Sequence, residues 1–227
     1  MTSSLTQRYQ DVQKRIDSAM QSANRTDPIQ LLAVSKTKPI EDIIALADIG
    51  QQAFGENYVQ ESLAKIAQRP DLEWHFIGPI QSNKTKSIAE NFQWVHSVDR
   101  YKIARRLSEQ RPESLPPLNI LLEVNISNEP SKAGFSPNEI LDIAKEIVTL
   151  PNISLRGLMA IPAKAQTHAE QRQPFQQMKA LLNSLQKAFP NKAIDTLSMG
   201  MSADLEAAIE EGATIVRIGT DIFGARA

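Results

Sequence analysis

Cysteine is absent from the chain, which removes disulfides, thiolate nucleophiles and sulfur-ligated metal centres and is compatible with a reducing compartment. A strong charge of either sign is missing too. The formal net charge is -1 and the pI about 6.3, so nothing global favours nucleic acid or an anionic membrane as partner. No apolar run is long enough to span a bilayer, and the polar stretch Met1 to Gln10 lacks the basic-then-apolar order of a signal peptide. Histidine pairs at zinc spacing, acidic metal clusters, phosphate-loop fingerprints and dinucleotide fingerprints are all lacking. The expectation is a cytoplasmic protein that handles small molecules or proteins and holds no metal.

What is present suits one large domain. With 227 residues, 41% hydrophobic and 22% charged, the chain can bury a substantial core, and residues 1–227 show no clear linker or low-complexity segment. A leading helix carries the stripe Leu5, Tyr9, Val12, Ile16 and Met20, which should lie against other helices. Eight short apolar runs then read as strands: 30–35, 52–55, 73–77, 94–97, 119–125, 154–160, 195–198 and 214–218. Between them lie punctuated helices. Pro39 suits a first turn, Ser136-Pro137-Asn138-Glu139 reads as a capping box, and Phe175, Met178, Leu182, Leu185 and Phe189 mark a long helix stopping at Pro190. Ser202 is expected to open a helix that reaches Gly212. Eight alternations in this length predict a (β/α)8 parallel barrel, with a doubly wound sheet as the competitor.

In such a barrel the functional groups gather at the C-terminal ends of the strands. Lys36 stands just past strand one, and an amine held unprotonated there suits a Schiff base with an aldehyde. Ser198 to Ser202, in the run Leu197-Ser198-Met199-Gly200-Met201-Ser202, follow strand seven, and Gly219 and Thr220 lie at the end of strand eight. These supply hydroxyls, backbone N–H groups and a close backbone approach for a phosphate. Ser202 reads equally as a plain cap, and Gly219 as a plain turn. Arg217 interrupts an apolar strand and needs an acceptor, either a carboxylate or a ligand. Asn57 is a turn residue or part of the pocket, and Tyr58 reads as either a packing residue at a helix entry or part of the mouth. His75 and His96 should satisfy hydrogen bonds in or beside the barrel, while Lys38 and His168 read as surface groups.

The runs Ala33-Val34-Ser35-Lys36, Phe54 to Glu61, Trp74-His75-Phe76-Ile77-Gly78, Leu155 to Met159, Ser198 to Asp204 and Val216-Arg217-Ile218-Gly219 give the chain a resemblance over essentially its whole length. It resembles the pyridoxal-phosphate homeostasis protein family, relatives of the N-terminal barrel of alanine racemase. The resemblance implies a single barrel without the C-terminal β domain and pyridoxal 5'-phosphate as cofactor. Lys36 is then the Schiff-base lysine. Ser202, Met201, Gly219 and Thr220 hold the phosphate with Ser198 close by, Arg217 faces the pyridine nitrogen, and Asn57 lies near the ring substituents. No catalytic residue is implied.

Two functions use that pocket: a carrier acting in cofactor homeostasis and amino and keto acid balance, or an amino acid racemase or decarboxylase. Racemisation needs a base on each face of the substrate Cα, and in alanine-racemase relatives the second is a tyrosine from the partner's β domain. Tyr9, Tyr58 and Tyr101 are the only tyrosines here and just Tyr58 is expected at the mouth, which favours a non-catalytic carrier, while a barrel without the β domain is expected to be a monomer. Its expected partners are the cofactor and a recipient apoenzyme or regulatory protein. A cofactor-independent aldolase would use Lys36 but leave the phosphate cradle and Arg217 unexplained.

Overall fold

The computed structural model describes residues 4–224. A leading helix α1 (Leu5–Ser22) precedes β1 (Gln30–Val34), α2 (Ile40–Ala47), β2 (Ala53–Glu56), α3 (Val59–Gln68), β3 (Glu73–Phe76), α4 (Thr85–Asn91), β4 (Trp94–Val98) and α5 (Tyr101–Gln110). There follow β5 (Leu118–Glu123), α6 (Ile140–Ile147), β6 (Ile153–Met159), α7 (His168–Ala188), β7 (Thr196–Ser198), α8 (Leu205–Glu210), β8 (Ile215–Ile218) and α9 (Thr220–Phe223). The strands close in sequence order into one parallel barrel, β1 meeting β8 through Leu31 opposite Val216.

Alternation along each strand divides the apolar side chains between two spaces. Leu31, Ala33, Phe54, Trp74, Val95, Leu158 and Val216 join the helices in the main core. Leu32, Ala53 and Ile215 form a small separate cluster, and Trp94, Leu121 and Met159 another, both on the inward phase of their strands. Apolar fill inside the barrel is therefore sparse, and buried polar groups occupy much of the rest.

All eight expected strands form, with ends shifted by a residue or two. The leading helix buries Tyr9, Val12, Ile16 and Ala19, and its Ser4 cap accepts from the Gln7 N–H. The capping box at Ser136 forms with both of its bonds, over a 3-10 turn (Pro137–Glu139) that leads into α6. Two helix starts differ from expectation. Pro39 is the N-cap of α2 rather than a first-turn residue, because its ψ of 157° is still extended. Ser202 lies in a turn ahead of α8, whose N-cap is Asp204. The cause is local: the Asp204 carboxylate accepts from the Met201 N–H at 2.7 Å, while the Asp204 N–H donates to the Met201 carbonyl at 3.1 Å. That closes the turn before helix can begin.

Candidate cofactor site

Lys36 sits half-buried in the turn after β1, where Thr37 adopts a left-handed φ of 62°. The turn is held from below by a charged group that sequence reasoning did not single out. The Lys65 ammonium, nearly enclosed on α3, donates to the Ser35 carbonyl at 2.8 Å, Glu56 Oε1 at 2.8 Å and Glu61 Oε1 at 2.6 Å. Ser35 Oγ donates to the same Glu56 oxygen at 2.6 Å, and the Thr37 N–H donates to Glu61 at 2.6 Å. Burial pushes the Glu56 carboxyl up, against the pull of Lys65 and Ser35. A signal existed: Val59, Ser62 and Lys65 share the buried stripe of α3, and Glu61 and Lys65 are four apart. Lys38, expected on the surface, is half-buried and turns toward the carbonyls at the end of α9.

Asn57 follows β2 and keeps a buried Oδ1 without a hydrogen-bond partner among the described residues. The loops after β2 and β3 touch there, since a Cβ on Gly78 would lie 2.3 Å from the Asn57 carbonyl oxygen. Tyr58 is 52% exposed beside it, so it neither packs in the core nor caps α3 through its side chain.

Arg217 occupies the third position of β8, buried, and no carboxylate accepts from it among the described residues. Nη1 donates to the Ser198 carbonyl at 2.6 Å and to Ser198 Oγ at 2.7 Å, and Nη2 to the Ala160 carbonyl at 3.0 Å. These acceptors are neutral. Burial therefore pulls its pKa down to about 10, opposed only by the fields of Asp204 and Glu123. Ser198, expected beside the phosphate, turns its hydroxyl into this interior bond.

From Ser198 a line of buried groups crosses the barrel. His96 Nδ1 lies 2.8 Å from Ser198 Oγ, His96 Nε2 lies 2.8 Å from His75 Nδ1, and His75 Nε2 lies 2.7 Å from Glu73 Oε1. Donor counting gives the line one direction. A guanidinium only donates, so the Ser198 hydroxyl receives from Arg217 and donates to His96. Each imidazole then accepts at Nδ1 and donates through Nε2–H, ending on a carboxylate that only accepts. Both rings are neutral on this assignment, in keeping with burial, which pushes both down, His96 well below the usual histidine value. The His75 bond in turn holds the Glu73 carboxyl low. His75 and His96 thus satisfy each other inside the barrel, as the sequence suggests, and they connect its mouth to its far end.

The segments after β7 and β8 lie side by side, because the Arg15 guanidinium reaches the Ser202 carbonyl at 3.0 Å and Asp221 Oδ2 at 2.6 Å. The Met201 N–H, expected to face an anion, is taken by Asp204. The amides of Ser202, Ala203 and Gly219 and the hydroxyls of Ser202 and Thr220 donate to no acceptor among the described residues. Gly219 lies against β1, where a Cβ would come within 3.3 Å of the Val34 carbonyl oxygen. This set of unspent donors suits a phosphate-sized anion.

The sequence model of the alanine racemase N-terminal domain family matches residues 8–227 of this closed parallel barrel. Within it, the pyridoxal phosphate homeostasis protein of Pasteurella multocida is 56% identical over 225 residues, covering 97% of both chains. That of Escherichia coli K12 is 50% identical over 221 residues, covering 95% of this chain and 94% of its own. The solved structure of Synechococcus elongatus PipY with pyridoxal phosphate bound superposes with a TM-score of 0.80 at 37% identity, over 92% of this chain and all of that one. The chain belongs to the pyridoxal phosphate homeostasis protein family.

Proposed function

We propose that this chain binds pyridoxal 5'-phosphate through a Schiff base to Lys36 and serves its supply in the cytoplasm as a single-barrel monomer, residues 1–227, without turning over a substrate of its own. The observation that carries this reading is the convergence on one barrel mouth of Lys36, the donor-only Arg217 and the unspent donors of Ser202, Gly219 and Thr220. When bound, such a cofactor supplies an aldehyde for amines and an electron-withdrawing ring. The residues here temper that ring. Arg217 has only N–H groups to offer a pyridine nitrogen, so it would hold that atom unprotonated, a weaker electron sink than a carboxylate partner would make. Ser198 and Ala160 fix the guanidinium from behind. Asn57 Oδ1, buried and unmatched, suits a donor on the ring substituents or a bridging water.

Recipients of the cofactor would be apoenzymes that depend on it, with amino and keto acid balance as the consequence. The test is Cα proton exchange: the loaded protein is incubated with a panel of amino acids in deuterated water and followed by NMR. Retained cofactor with no appreciable exchange is the expected result. Stereospecific exchange at about 1 per second or faster, lost in Lys36→Ala, would replace the carrier reading with a racemase.

A further inference from the structure

Helix α1 stands outside the eight strand–helix repeats, yet its basic residues reach the barrel mouth. Val12, Ile16 and Ala19 are buried along its apolar face. From its flank the Arg15 guanidinium forks onto Glu206, Nε to Oε1 at 2.9 Å and Nη2 to Oε2 at 3.0 Å. The same group donates through Nη1 to Asp221 Oδ2 at 2.6 Å and through Nη2 to the Ser202 carbonyl at 3.0 Å. Two turns earlier Arg8 Nε donates to the Ile222 carbonyl at 2.6 Å. One planar guanidinium therefore spans the gap between the segment after β7, which bears Ser202, and the segment after β8, which bears Thr220.

We propose that Arg15 is a positioning residue for phosphate binding: it sets the distance between the Ser202 and Thr220 segments and neutralises the Glu206 and Asp221 carboxylates beside them. This rests on the reading that those segments hold the phosphate. Both effects follow from the contacts. Five fixed donors let arginine hold two carboxylates and a carbonyl at once, which a lysine's compact ammonium cannot match. Without the guanidinium, two negative charges would flank the position of an incoming dianion and oppose it. All three guanidinium nitrogens of Arg15 donate to protein acceptors, so it acts through the segments it holds and its effect should appear only where the ligand carries a phosphate.

The test compares affinity for pyridoxal 5'-phosphate with affinity for pyridoxal, which lacks the phosphate, by absorbance titration of the full chain. In Arg15→Met the phosphorylated ligand should bind about tenfold more weakly, with pyridoxal unchanged. Adding Glu206→Gln and Asp221→Asn to that variant should restore part of the loss by removing the exposed charge. Arg15→Lys should fall between wild type and Arg15→Met, and carries the test if the methionine variant does not fold by circular dichroism. Equal weakening of both ligands would mean a general structural defect and overturn the proposal. So would an unchanged preference for the phosphorylated ligand in a variant whose wild type shows one. A wild type that binds both ligands alike would overturn the cradle itself, and the role of Arg15 with it.

Discussion

Neutral histidines in a barrel interior make stability depend on pH. In the unfolded chain both titrate near about 6.5, whereas burial keeps His75 and His96 uncharged in the fold. Between about pH 7 and 5 the unfolded state takes up protons that the folded state refuses, so lowering the pH lowers stability by up to about 1.4 kcal/mol per unit for each histidine. Glu56, Glu123 and Asp204, which burial raises, act in the opposite sense as pH falls through their folded-state values. The clean measurement is a difference. His96→Gln can still accept from Ser198 and donate to His75, so urea unfolding across pH 7.5 to 5 should show a shallower fall than in wild type. An unchanged slope would mean that His96 takes up its proton in the fold as readily as in the unfolded chain, and that the single direction from Arg217 to Glu73 is wrong. Sequence alone makes the two histidines legible as hydrogen-bonded groups in or beside the barrel. Their connection through Ser198 is not, because it depends on which strand phase faces inward at β3, β4, β7 and β8, and sequence fixes each strand's alternation without the register between strands.

At the scale of elements, the turn that presents Lys36 is held by a helix rather than by its own strand. Lys65 on α3 joins the Ser35 carbonyl to two carboxylates, and Glu56 is fully buried. Removing the cation should leave that carboxylate stranded, so Lys65→Met is expected to cost about 3 kcal/mol or more at neutral pH. The sign with pH follows. Loss of Lys65 raises the folded-state pKa of Glu56 further above its unfolded value, so the deficit is complete above that pKa and shrinks as falling pH protonates the buried carboxyl. Urea unfolding at pH 8 and pH 5 measures it. A deficit equal at both would indicate lost packing rather than a stranded charge. The eight strands are legible because runs such as Leu31 to Val34 and Ile120 to Leu122 are apolar on both phases, as strands covered by helices must be. The start of α8 is less so. A serine followed by acidic residues offers two competing caps, and the bond from the Met201 N–H to Asp204 decides between them.

For the whole molecule, the closed order β1 to β8 turns residues scattered from Lys36 to Thr220 into neighbours. That convergence is legible from counting alternations, since every strand end in a parallel barrel points to one mouth. The role of α1 is only half legible: its apolar stripe shows that it packs, but not that Arg15 lands between the last two strand ends. The central claim is that the mouth holds an aldehyde cofactor on one particular amine. It is tested by loading the protein with pyridoxal 5'-phosphate, reducing with borohydride and mapping the modified peptide. The account predicts a single reduced adduct on the peptide containing Lys36, absent from Lys36→Ala; an adduct on another lysine, or none at all, would contradict it.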